Sequence, residues 1–172
     1  EHPSLQVQGD ESALLGLLDE LKAGKIGALF VLGCNPAYEL PGDWGAFLMK
    51  ASFSVACVER MDETAEAVSH VCPVPHFLAS WGDAEPVRGH YSLVQPTFPV
   101  LGEARPVLES LAVWRGRPAK AKDLVQEHWR ENLFPRSPSV AGFQNFWDRS
   151  LEAGYVELPV PTAPAGAFDA SR

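Results

Sequence analysis

One short unbroken apolar run constrains this chain most: Ile26-Gly27-Ala28-Leu29-Phe30-Val31-Leu32, closed at once by Gly33-Cys34-Asn35-Pro36. A strand with one wet face alternates apolar and polar residues. A continuous run marks a strand covered on both faces, the situation of a parallel sheet. Phe53-Ser54-Val55-Ala56-Cys57-Val58 is a second β-rich run, and between the two Trp44, Phe47, Leu48 and Ala51 recur at helical spacing. Ahead of the first, Leu14, Leu15, Leu17, Leu18 and Leu21 describe an amphipathic helix with Asp10 or Ser12 as its cap and Gly24 as its stop. Behind the second, Asp62 caps a short helix ending near Val68. Strands alternating with helices imply right-handed crossovers and a three-layer α/β domain with a short, mostly parallel sheet. Phe30 and Val55 are expected to lie buried in neighbouring strands.

The chain then changes character. Residues 71–105 are Pro-rich, carry two aromatic anchors and show no period, so an irregular surface excursion is expected there. Helices resume at Pro106–Trp114, Lys120–Glu131 and Ser139–Leu151, and a final strand is expected over Tyr155–Val160. This gives an α/β domain with its excursion over 1–116, a helical extension over 117–160 and a flexible tail over 161–172. The chain opens at Glu1 without an initiator Met, and its end has nothing to bury, so it reads as part of a longer protein. With no n-region or h-region at its start, any signal sequence is expected outside these residues.

Composition removes several function classes. Lys plus Arg is 14 against Asp plus Glu at 22, a formal net charge of −8, which disfavours non-specific nucleic-acid or anionic-membrane binding. The longest apolar run, Ala28–Leu32, is far short of a membrane span. Cys34, Cys57 and Cys72 have no CxxC spacing and make neither a disulfide framework nor a zinc or iron–sulfur module.

Parallel strands end on one sheet edge, where ligands of open α/β sheets bind. Gly33 and Asn35 follow the first strand, and Asp62-Glu63-Thr64 follow the second, so the two turns should meet there. Asn both donates and accepts hydrogen bonds, a glycine permits close backbone approach, and a carboxylate at a helix start accepts two N–H bonds from an edge such as guanine's. The same residue types also cap turns and helices. Cys34 is a thiol at a strand end with no histidine fixed beside it, which reads as a small hydrophobe rather than a nucleophile. His70, Cys72 and His76 are close in sequence, but Pro73 and Pro75 interrupt any element that would aim them at one metal. The five tryptophans are dispersed and read as core and interface.

Ala28-Leu29-Phe30-Val31-Leu32-Gly33-Cys34-Asn35-Pro36-Ala37-Tyr38 resembles the strand and Gly-x-Asn-Pro turn of molybdopterin oxidoreductases of the dimethyl-sulfoxide-reductase superfamily. Asp62-Glu63-Thr64-Ala65 followed by Val71-Cys72-Pro73 is similar to a further passage of that family. His76-Phe77-Leu78-Ala79-Ser80-Trp81-Gly82-Asp83-Ala84, Tyr91-Ser92-Leu93-Val94-Gln95-Pro96 and Glu109-Ser110-Leu111 look like the large iron–sulfur subunit of bacterial alternative complex III. The match covers roughly residues 10 to 131.

The resemblance implies a Rossmann-like domain and two alternative roles. In one, Gly33, Asn35, Asp62 and Thr64 bind the guanine-nucleotide end of molybdopterin guanine dinucleotide in an active molybdenum enzyme. In the other, they are vestiges in a non-catalytic domain of a respiratory, quinol-oxidising complex. Ser69-His70, where Ala-Asp is usual, and Cys72, where Leu is usual, favour the second. On that reading no catalytic or metal-ligating residue and no cofactor belongs to these residues, and iron–sulfur clusters lie elsewhere in the parent protein. Partners are then other domains and subunits of a membrane-bound complex on the periplasmic face of a bacterial inner membrane. No nucleic acid and no direct membrane span are implied.

Overall fold

The computed structural model describes residues 9–137 and 140–160; the tail expected over 161–172 lies outside the described residues. The described residues fall into two units, a larger one of 9–82 and 94–125 and a smaller one of 83–93, 126–137 and 140–160.

The larger unit opens with helix α1, Glu11–Lys22, whose N-cap is Asp10, accepting from the Ser12 and Ala13 amides. Strand β1, Leu29–Leu32, leads through the short helices α2, Pro36–Glu39, and α3, Trp44–Leu48, to β2, Ser54–Val58. Helix α4, Glu63–Ala67, then connects to β3, His70–Pro73. The three strands are parallel in the order β1-β2-β3, with Phe30 opposite Val55 and Cys57 opposite Cys72. Val31 and Ala56 on one face pack with Leu48 of α3 and Ala67 of α4. On the other face Phe30 meets Trp114 of helix α5, Val107–Trp114, with ring centroids 5.3 Å apart. Helices therefore lie on both faces of a parallel sheet, the three-layer, Rossmann-like α/β arrangement expected from the alternation of runs.

Phe30 corrects one expectation. Val55 is 3% exposed, but Phe30 remains 45% exposed although it sits in the expected strand at the expected register. β1 is an edge strand, and its Phe30 and Leu32 face is covered only in part. A continuous apolar run reports an apolar environment along a strand, not how much of it this chain itself supplies.

The segment over 71–105 is more regular than its prolines suggest. It contains β3, a 3-10 turn at Phe77–Ala79, and strands β4, Gly82–Val87, and β5, His90–Val94. Its prolines fall where a missing N–H costs little: Pro73 closes the edge strand β3, and Pro86 lies on β4, an edge of the second sheet. Arg88 and Gly89 form the connection between β4 and β5, with Gly89 at φ +88°. A Cβ there would come within 2.8 Å of the Leu158 carbonyl, so only glycine fits.

In the smaller unit β5 pairs antiparallel with β6, Tyr155–Glu157, which is shorter than the strand expected over Tyr155–Val160. Its core is aromatic. Trp129 and Trp147 cross edge to face at 5.8 Å, Phe146 lies 6.0 Å from Trp129, and Trp129 donates its indole N–H to Asp83 at 2.8 Å. A π-helical turn at Trp129–Leu133 continues helix α6, Ala121–His128, and Pro135 follows it within a 3-10 turn. Helix α7, Phe143–Ala153, ends at Gly154 in the left-handed conformation. Among the described residues no helix is long and apolar enough to cross a membrane.

Candidate functional site

The carboxyl-terminal edge of the parallel sheet brings the expected residues together. Gly33 ends β1 with φ +64°, and nothing lies within 4 Å of where its Cβ would be. Its positive φ makes the left-handed turn that glycine adopts without strain. The turn delivers Asn35, whose carbonyl accepts from the Tyr38 and Glu39 amides to start α2, while its side chain makes no bond to that helix.

The Asn35 side chain instead reaches α4. Its Oδ1 accepts the Thr64 hydroxyl at 2.7 Å and the Thr64 amide at 3.2 Å, and its Nδ2 donates to Glu63 Oε2 at 2.8 Å. Thr64 Oγ1 accepts in turn from the Ala37 amide at 3.1 Å. Thr64 is fully buried, and every polar bond of this latch is internal to the two turns. Asp62 caps α4, accepting the Ala65 amide on Oδ1 at 2.7 Å. The amides of Thr64 and Ala65, two of the donors that an anion at this helix start would use, are already taken by Asn35 and Asp62.

Beside the latch lie two open depressions, one of about 320 Å³ and one of about 620 Å³. The first is lined by Glu39, Glu59 and Asp62, and the second by Glu39, Asp62, Glu63 and Glu66. Arg60 is the one cation among the described residues of either. Like charges so close make the edge repel phosphate. Glu63 is held below the usual carboxylate range chiefly by the Asn35 amide, so it keeps its charge.

Sequence reasoning found the meeting of the two turns but missed Glu39 and Glu59. Glu39 lies one helical turn beyond Asn35, a spacing that returns it to the same side, and this was the available signal. It also missed Ser69, which clasps the start of β2. The Ser54 amide donates to Ser69 Oγ, the Ser69 amide donates to Ser54 Oγ, and Ser69 Oγ donates to the Ser54 carbonyl, each at 2.9 Å.

Cys34 is exposed beside the smaller depression, and partial desolvation, then Glu39, push its thiol up. No histidine lines that depression among the described residues, and a raised thiol is the wrong direction for a nucleophile. His70 and His76 point to separate aromatic neighbours: His70 packs on Phe53 at 4.7 Å, and His76 on Phe77 at 4.5 Å. Among the described residues no group of three or more His, Cys, Asp or Glu side chains is placed to hold a metal ion. No protein-family model matches the chain, and no curated protein matches it.

Proposed function

We propose that this chain is a structural α/β domain of a molybdopterin-oxidoreductase-like subunit in a respiratory, quinol-oxidising electron-transfer complex, and that it binds no molybdenum cofactor. Its partners are other domains and subunits of that membrane-bound complex at the periplasmic face, and electrons pass through iron–sulfur clusters outside these residues. The observation that carries the reading is the Asn35–Thr64–Glu63 latch. Three of the residues that would hold a guanine nucleotide are engaged with one another or with their own helix. The surrounding carboxylates outnumber Arg60, so these residues do not fit the phosphate-bearing end of such a cofactor. What they supply is rigidity, tying the turns after β1 and β2 into one edge.

Calorimetric titration of the chain with guanosine monophosphate tests this. The expected result is no saturable heat, for the parent sequence and for Asp62→Asn alike. Saturable binding that Asp62→Asn weakens by about 1–3 kcal/mol, the range for hydrogen bonds to charged groups, would instead support a nucleotide-binding domain of an active molybdenum oxidoreductase.

A further inference from the structure

All three cysteines of the chain are gathered near the carboxyl-terminal edge of one sheet: Cys34 just past β1, Cys57 in β2 and Cys72 in β3. Two of them are placed more narrowly. The parallel register sets Cys57 opposite Cys72, so both side chains leave the sheet on the same face. Both are free. Neighbouring strands run about 4.7–4.9 Å apart. That lies inside the window of about 4.4–6.8 Å between Cα atoms that a disulfide tolerates. The usual Cβ separation is shorter, about 3.5–4.5 Å, so closing the bond would draw the strands together and leave it readily reduced. Access is unequal: Cys57 is 2% exposed, whereas Cys72, on the edge strand β3, is half-buried.

We propose that Cys57 and Cys72 form a reversible oxidation site, at which a small-molecule disulfide of the oxidised-glutathione class converts the two thiols into one disulfide between β2 and β3. The Cys72 thiolate attacks one sulfur of the reagent; a bond to Cys72 forms, the reagent's S–S bond breaks, and one thiolate leaves. Cys57 then gives its proton to solvent and attacks the Cys72 sulfur, expelling the second thiolate, which takes up a proton. The protein loses two protons and two electrons, and the reagent becomes two thiols. Cys57 suits the second step because it is shielded from the reagent and lies opposite Cys72 in the register. Cys34 lies past the end of β1 and has no cysteine opposite it in the register.

The test is treatment of the folded chain with excess oxidised glutathione, alkylation, and tryptic digestion without reductant. Cleavage after Lys25, Lys50, Arg60 and Arg88 places the three cysteines on separate peptides, so each linkage is read directly by mass. The expected product is a monomer in which peptide 51–60 is joined to peptide 61–88. Dithiothreitol should undo the link, Cys34→Ser should retain it, and Cys72→Ala should abolish it. In urea the preference should give way to mixed pairings. Recovery of Cys57 and Cys72 both alkylated, with Cys34 carrying glutathione or joining two chains, would overturn the proposal. So would an equal preference in urea, which would assign the pairing to chain proximity and not to the sheet register.

Discussion

Asn35 and Thr64, 29 residues apart in sequence, meet through a 2.7 Å hydrogen bond from the Thr64 hydroxyl to the Asn35 amide oxygen. That bond joins the turn after β1 to the start of α4, and the buried hydroxyl also accepts the Ala37 amide. A residue with one oxygen thus satisfies groups from both turns. Thr64→Val keeps the volume but strands these partners, and a loss of about 1–3 kcal/mol in denaturant melts is expected. Thr64→Ser keeps the hydroxyl and removes one methyl group, which should cost only about 0.8 kcal/mol. Equal losses for the two variants would mean that packing and not the latch holds this edge.

Ser69 provides an independent check on the sheet. Ser69→Ala removes the acceptor of the Ser54 amide and the donor to the Ser54 carbonyl, on a buried serine. The expected destabilisation is about 1–3 kcal/mol, with accelerated hydrogen exchange at the Ser54 amide. Unchanged exchange at that amide would contradict the clasp.

Phe30 and Trp129 should respond differently to truncation. Burying and then deleting a large aromatic costs about 3–5 kcal/mol, which is the expectation for Trp129→Ala in its fully enclosed site. Phe30 keeps nearly half its surface in solvent, so Phe30→Ala should cost about half as much, near 2 kcal/mol. Denaturant melts of the two variants in the same buffer decide the ranking.

The Asn35–Glu63 bond carries a signature in pH. The folded-state pKa of Glu63 is depressed, chiefly by the Asn35 amide, so the unfolded chain binds the proton more readily. The resulting stabilisation is complete above the ordinary glutamate range and is lost as pH falls through the depressed folded value. Carboxyl NMR titration should show the Glu63 midpoint rising toward the ordinary range in Asn35→Ala. An unmoved midpoint would remove Asn35 as its cause.

How much of this was legible in the sequence differs from element to element. The runs around Val31 and Val55 announced parallel strands because an apolar residue on both faces has one common cause, a covered sheet. Asp62 announced its helix because a capping carboxylate acts on amides two and three residues away. Asn35 was legible as a site residue but its partners were not, since they depend on which turns the topology brings together. Phe30 was legible as a strand residue and not in its exposure, which is set by how far the sheet extends past β1. The β4–β5 pair was hidden by Pro86, whose edge position removes the objection that proline raises to a strand, and the Arg88-Gly89 step was its remaining signal.

The most direct measurement is the molybdenum, pterin and iron content of the purified full-length parent subunit, with iron as the internal control. Iron without molybdenum or pterin is the predicted result, with the sheet edge serving as an internal latch. Near-stoichiometric molybdenum and pterin would contradict it and make Asn35, Asp62 and Thr64 ligands of a working cofactor.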